Sequence, residues 1–274
     1  MTVGFMVDIE FAWGFQARVI GLSKTNPSFL YPPPTTFLGA LSEAIAKNLG
    51  FSEFNGKTIM ENLSRELLAI GWKPLNCRPV RYEDINRVIA IRIVGKTGLY
   101  PTPKNLSGSF DSPARGKTSL YSLDDKAPTI RWFLVFKNEA IKIGENSIEL
   151  EDNFWRIHRI GSKESRVSVV NVKGFTPEIK SGAIKTNYAT LLDFGIIDLV
   201  EGEWVIENYL NPFDPESFKN PLQSYFEKTI KFMCPMPRWG YPIIDIPFIR
   251  VKLAEDAKAY VYEKEAIIGY ANRN

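Results

Sequence analysis

Histidine is almost missing from this chain, occurring once at His158, and cysteine occurs only twice, at Cys77 and Cys234. The cysteines lie far apart and lack metal-ligand spacing. They imply neither a zinc site nor a disulfide framework and read as reduced core thiols of a cytoplasmic protein. There is no HD or HxH pairing, and Asp124-Asp125 is too small a cluster for metal catalysis, so no metal is expected. Neither a P-loop nor GxGxxG occurs, which leaves no nucleotide cofactor to expect. No stretch reaches the roughly eighteen apolar residues of a membrane helix. The first strand carries Asp8 and Glu10, which a signal peptide would not, so no membrane partner is expected. No low-complexity tail and no internal repeat appear. Neither sign of charge dominates: 34 Lys and Arg face 31 Asp and Glu, a net +3. That permits a nucleic-acid surface without demanding one.

What is present begins with a core. At 274 residues and 45% hydrophobic content, the chain can form one large domain or two small ones. Val3, Phe5, Val7, Ile9 and Phe11 alternate with Gly4, Met6, Asp8 and Glu10, the period of a strand. After an aromatic, basic connection, Tyr31-Pro-Pro-Pro-Thr-Thr leads into a helix. Thr35 or Thr36 is the expected N-cap, and Phe37, Leu41, Ala44, Ile45 and Leu49 recur at helical spacing up to a stop at Gly50. Gly39 and Ala40 would let another backbone approach. Lys57 to Ile70 reads as a second amphipathic helix, broken by Gly71-Trp72-Lys73-Pro74. Strands are expected at Arg87–Val94, Ile130–Phe136, Phe154–Ile160, Arg166–Val172 and Phe248–Leu253. Helical stretches are expected near Tyr188–Phe194 and Tyr225–Met233, followed by a proline-rich connector from Pro235 to Pro247. Gly144-Glu145-Asn146 marks a turn and the expected boundary between residues 1–145 and a β-rich 146–274.

Between Gly95 and Pro128 the regular pattern stops. Lys96, Lys104, Arg115, Lys117 and Lys126 stand against Asp111, Asp124 and Asp125, with Tyr100, Phe110 and Tyr121 interspersed. Long irregular segments inside compact domains are uncommon and tend to carry function. Cations for phosphates and flat side chains for bases are what single-stranded RNA binding needs. Composition leaves a solvated surface loop equally open. Arg78, Arg81, Arg87 and Arg92 precede the segment as phosphate forks or as partners of nearby acids such as Glu83 and Asp84. The Gly161-Ser162-Lys163-Glu164-Ser165 turn, flanked by Arg159 and Arg166, brings hydroxyls, a lysine and free amides together, a geometry able to cradle a phosphate. Arg18 and Lys24 flank the Trp13-Gly14 turn.

The strand ending in Ala12-Trp13-Gly14, Arg18 after it, and the Pro-Pro-Thr-Thr-x-x-Gly-Ala-Leu helix start resemble the Cas-five family, RAMP-superfamily subunits of type I CRISPR complexes. The Gly161–Ser165 turn is similar to its archaeal type I-A branch. The likeness is close over residues 1–50 and 155–172 and loose elsewhere; type III RAMP subunits share the Pro-Thr-helix-Gly pattern. It implies an α+β, ferredoxin-like (RRM-like) domain with a thumb hairpin inserted at about 95–128. It also implies a non-catalytic subunit that caps the 5′ handle of the guide RNA, contacts backbone and large subunits, and meets target DNA only indirectly. On that reading Lys104, Phe110, Arg115 and Lys117 lie on or near the thumb, with Trp13, Arg18, Lys24, Arg78, Arg81, Arg87, Arg92, Arg159, Ser162, Lys163 and Arg166 completing the RNA surface.

One branch of the family cleaves CRISPR RNA without a metal, using tyrosine, lysine and histidine. Here no Lys-His dipeptide exists, and His158 sits between Ile157 and Arg159 with only Tyr31 and Lys163 as companions. A metal-independent endoribonuclease is the alternative, and a structural spacer without RNA contact is a third.

Overall fold

The computed structural model describes residues 2–17, 19, 27–51, 55–84, 92–94, 98–100, 115–193, 195–237 and 245–271. Strand β1 (Val3–Phe11) runs into the two-residue β2 (Gly14–Phe15). The chain then crosses through α1 (Pro34–Asn48) and α2 (Asn55–Glu66) to β3 (Leu67–Pro74). Next come β4 (Cys77–Asp84), the short pair β5 (Arg92–Val94) and β6 (Gly98–Tyr100), then β7 (Arg115–Ser122) and β8 (Thr129–Phe136). A hairpin, β9 (Ala140–Ile143) and β10 (Asn146–Glu149), leads through the one-turn α3 (Glu151–Phe154) to β11 (Val167–Phe175). Short strands follow: β12 (Glu178–Lys180), β13 (Ala183–Thr186), β14 (Thr190–Leu191), β15 (Ile197–Glu201) and β16 (Trp204–Leu210). Helix α4 (Pro221–Glu227) precedes β17 (Thr229–Pro235), β18 (Ile249–Leu253), β19 (Ala257–Tyr262) and β20 (Glu265–Tyr270).

The architecture is α+β, and every strand ladder among the described residues is antiparallel. The principal sheet has seven strands in the order β11-β1-β8-β3-β20-β19-β12. Strands from both sides of the Gly144 turn therefore share it. β11 and β12 are neighbours in sequence yet stand at opposite ends, so the sheet curls toward closure. Phe175 stacks on Tyr262 with centroids 4.1 Å apart, and Lys173 reaches Glu263 at 3.3 Å across that seam.

The curl buries both faces. Phe5, Val7, Ile9 and Phe11 of β1, with Ile130, Trp132 and Leu134 of β8, meet Phe37, Leu41 and Ile45 of α1 in the main core. Phe37 lies 4.4 Å from Trp132, ring on ring. On the other face Met6, Phe133, Val135, Tyr188, Tyr260 and Ile267 fill the inside of the curl. A polar row closes the same face. Asp8 is in register with Asn171 and Arg131, and Arg131 with Lys73. Arg131 grips Asp8 through two nitrogens at 2.6 and 2.8 Å. Lys73 donates to Glu265 at 2.6 Å. Partners on all sides make this row of buried charge tolerable.

Several expectations are corrected. α2 stops at Glu66, and Leu67–Pro74 is a central strand rather than helix and breaker. Burial on both faces removes the two-residue alternation, leaving an apolar run that period alone cannot tell from a helix. A Cβ on Gly71 would lie 2.7 Å from the Ala189 carbonyl, so glycine admits the backbone that bonds Trp72 at 2.7 and 3.1 Å. The N-cap of α1 is Pro33, with no side-chain cap, rather than Thr35 or Thr36. Pro34, whose missing N–H would be unpaired anyway, starts the helix, and the amides of Thr36 and Phe37 close on the Pro33 carbonyl. Gly50 ends it at φ +65 as expected, but a Cβ on Gly39 would meet nothing within 4 Å, so no backbone crowds there. Phe154 ends α3, and 155–160 holds no strand beyond an Arg159–Arg166 bridge. Tyr188–Phe194 contains the β14 strand in place of a helix, and Tyr225–Met233 divides between α4 and β17. Arg87–Val94 is described only as β5, Arg92–Val94. The strands at 130–136, 166–172 and 248–253 and the Gly144 turn stand as expected. No described helix is long and apolar enough to cross a membrane.

Candidate nucleic-acid interface

β4 and β7 form an antiparallel ribbon, paired from Cys77 with Ser122 to Asp84 with Arg115. Residues 115–122, expected to be irregular, are a regular strand; their Ser, Thr, Lys and Gly carry little aliphatic signal. Alternation splits the ribbon into two rows. The inner row turns Pro79, Thr118 and Leu120 into the body. The outer row carries the cross-strand pairs Arg78–Tyr121, Val80–Ser119 and Tyr82–Lys117. Tyr82 and Tyr121 are 54% and 57% exposed. Each flat ring thus stands opposite a cation, the combination that stacks bases and offsets phosphate charge.

The ribbon is seated by the turn after β1. Gly14 has φ +148, and a Cβ there would lie 2.1 Å from the Thr118 carbonyl, so only glycine admits the pairing of β2 with β7. Leu120 N–H donates to the Trp13 carbonyl at 2.9 Å, and the Trp13 indole N–H to the Glu164 carbonyl at 2.9 Å. Trp13 therefore ties the ribbon root to the Gly161 turn.

That turn packs against the same segment. Gly161, φ +105, would place a Cβ 2.7 Å from the Gln16 carbonyl. Ser162 N–H donates to that carbonyl at 3.2 Å, and Gln16 N–H to the buried Ser165 hydroxyl at 3.0 Å. The Ser162 and Ser165 hydroxyls lie 3.1 Å apart, while Lys163 and Arg166 are exposed. Beside the turn opens a cavity of about 260 Å³ lined by Gln16, Phe29, Thr35, Thr36, Gly161 and Tyr225, among others. Thr35 and Thr36 belong to the first turn of α1, where the helix dipole favours an anion even though the Thr36 amide is already taken by the Pro33 carbonyl. Phe29 and Tyr225 add aromatic wall.

Other candidates have other surroundings. Arg81 donates to Glu207 at 2.5 Å. Arg78, half-buried, lines a groove of about 560 Å³ with Leu30, Val80, Val205 and Ile206. Arg159 lies away from the ribbon on α1, donating to Glu43 at 2.8 Å. Glu43 also pairs with Lys47 at 2.7 Å. Burial pushes the Glu43 carboxyl up, but the hydrogen bonds from Lys47 and Arg159 outweigh it and hold it below the usual range. His158 stands 3.5 Å from Lys47. Tyr31 is fully enclosed; burial first, then Cys234, Cys77 and Glu207, raises its hydroxyl well above the ordinary range. Arg92 lies in β5 and Arg115 opposite Asp84. Arg18, Lys24, Arg87, Lys104 and Phe110 lie outside the described residues.

The structure thus brings Trp13, Arg78, Lys117 and Ser162 onto linked elements and leaves Arg159 apart. Sequence reasoning missed Tyr82, Gln16, Tyr225 and the helix start as site components. Tyr82 had a visible signal, since Arg78, Val80 and Tyr82 alternate; Gln16 and Tyr225 had none, because their neighbourhood comes from distant segments.

The whole chain is similar to a solved structure, the crystal structure of a CRISPR protein from Archaeoglobus fulgidus. The TM-score is 0.72 and identity 46%, over 98% of this chain and 100% of that one. The fold is therefore that of a RAMP-like CRISPR protein. No family model matches the chain. Among curated proteins it is 30% identical over 185 residues to CRISPR system aCascade subunit Cas5 1 of Saccharolobus solfataricus, spanning 66% of this chain and 69% of that protein. It is 27% identical over 191 residues to CRISPR-associated protein Cas5 3 of the same organism. The chain belongs to the Cas5 family.

Proposed function

We propose that this protein is a non-catalytic RNA-binding subunit of an archaeal type I CRISPR effector complex, holding the 5′ handle of the guide RNA and contacting the neighbouring backbone and large subunits. The observation that carries it is the outer face of the β4–β7 ribbon, where Tyr82 and Tyr121 stand opposite Lys117 and Arg78. The Gly161 turn and the α1 N-terminus, joined to the ribbon root through Trp13 and Gln16, supply a second contact around a cavity with polar and aromatic walls. The ribbon takes the part of the thumb. The order β11-β1-β8-β3, with helices between β1 and β3 and between β8 and β11, supports a ferredoxin-like arrangement. The enclosed Tyr31 hydroxyl supports a binding role over cleavage, because a general base must reach its substrate.

Purified protein titrated with single-stranded CRISPR repeat RNA tests this. Binding should weaken with salt, each phosphate contact contributing a slope of roughly −0.7 in log K against log salt. The same mixture in EDTA should leave the RNA intact. Affinity indifferent to salt would overturn RNA binding. One discrete metal-independent cut would establish the endoribonuclease instead, with the Lys47–His158 contact as the place to look.

A further inference from the structure

The geometry points to Arg81 and Glu207 as a latch that sets the ribbon's inclination, so that Arg81 serves RNA as a positioning residue rather than as a phosphate ligand. The inference rests on the proposed RNA-binding role of the ribbon. Glu207 sits on β16, in the separate three-stranded sheet β14-β17-β16, and is 5% exposed. Its carboxylate accepts from the amides of Leu30 at 2.8 Å and Tyr31 at 3.2 Å and from the Tyr209 hydroxyl at 2.5 Å. Arg81 completes the set at 2.5 Å and is the cation among these donors. Three segments of chain thereby converge on one carboxylate: the ribbon, the approach to α1, and the β16 sheet.

The position of Arg81 makes this contact an orientation device. Its cross-strand partner is Thr118, whose hydroxyl donates to the Phe29 carbonyl at 2.5 Å. The Arg81–Thr118 pair therefore fastens both ribbon strands to the body at the same height. Beyond it lie the last ribbon pairs, ending at Asp84 with Arg115. On the outer face the next pair along is Tyr82–Lys117, so a tilt at Arg81 displaces the ring and cation proposed to meet RNA. β4 and β16 have no ladder between them, each being the edge of its own sheet among the described residues. The ion pair does the work that backbone bonds would otherwise do. Glu207 engages one nitrogen of a guanidinium that is otherwise half exposed, so this fully bonded carboxylate fixes where the Arg81 end of the ribbon lies.

The test uses full-length protein and the variants Arg81→Ala, Arg81→Lys, Glu207→Gln and the Arg81→Ala/Glu207→Gln double. Hydrogen exchange without RNA should show faster exchange of amides at 77–84 and 115–122 in Arg81→Ala and Glu207→Gln, with partial rescue in Arg81→Lys. Single-stranded repeat RNA affinity should fall about tenfold in either single variant and no further in the double, the non-additivity of one shared interaction. The salt slope should stay at the wild-type value. A phosphate ligand behaves oppositely: Arg81→Ala would lower the slope by about 0.7, and Glu207→Gln, which frees the guanidinium, would leave affinity unchanged or raise it. Either of those results, or ribbon exchange unchanged in both single variants, overturns the latch. Wild-type protein that fails to bind RNA would sink the proposed function alone, since the exchange measurement judges the latch without RNA. The near-isosteric Glu207→Gln keeps the test open if Arg81→Ala does not fold.

Discussion

Tyr82 and Tyr121 occupy diagonal corners of the ribbon's outer face, separated by the Val80–Ser119 pair. At about 3.3 Å per residue the two corners stand roughly 13 Å apart along the strand, too far for both rings to stack on one base. Being more than half exposed, neither ring contributes much to the core. Tyr82→Ala and Tyr121→Ala should each weaken single-stranded RNA binding by about 1–3 kcal/mol, the worth of a base–aromatic stack, with the thermal midpoint unchanged. Lys117→Ala should act differently, flattening the salt dependence by about 0.7 in slope. Fluorescence anisotropy across a salt series reads all three. Normal affinity in both tyrosine variants would remove the stacking role and leave the ribbon face as solvated surface.

At the scale of elements, the ribbon's regularity makes it separable. Asp84 and Arg115 are directly opposite in register, so a short Gly-Ser turn can replace residues 85–114 and close the hairpin at low loop-closure cost. The inner anchors Thr118 and Leu120 stay in place. This protein should fold, judged by an unchanged cooperative melt, yet lose co-purification with guide RNA and the adjacent backbone subunit. Normal co-purification would show that the removed span takes no part in assembly. A cut reaching to residue 122 would be a different experiment, because it strips β7 from β4 and β2 and orphans the Phe29 carbonyl. That distinction was illegible in the sequence. Residues 115–122 alternate Gly, Thr and Leu inward with Lys, Ser and Tyr outward, a half-buried strand built almost without aliphatics. Its partner β4 begins on Cys77-Arg-Pro and has one β-branched residue, Val80. Neither strand carries the aliphatic density by which β1 and β8 announce themselves.

For the whole molecule, closure of the curled sheet decides what can stand alone. β11 flanks β1, and β20 flanks β3. A chain ending after residue 145 leaves both of those edges unpaired and exposes the apolar side chains enclosed by the curl, a template for aggregation. It should give no cooperative melt and elute as aggregate on size exclusion, whereas the full chain should unfold in a single transition. A monodisperse, cooperatively melting fragment would show that the residue-145 turn bounds an independent domain.

The sequence already shows β1, α1 and β8 through a clean period between apolar and small or polar positions, and the Gly50 stop through its glycine. It also carried the family, through Ala12-Trp13-Gly14, the Pro-Pro-Thr-Thr helix start and the Gly161–Ser165 turn. The closed fold alone makes Leu67–Pro74 recognisable as a central strand, since burial on both faces erases the alternation that betrays one. Only it decided that the Gly161 turn lies against Gln16 and that Arg81 faces a carboxylate 126 residues away. Arginines look alike along a chain. What each one holds is fixed by which distant acid or amide the closed fold brings within about 3 Å, the reach of a hydrogen bond.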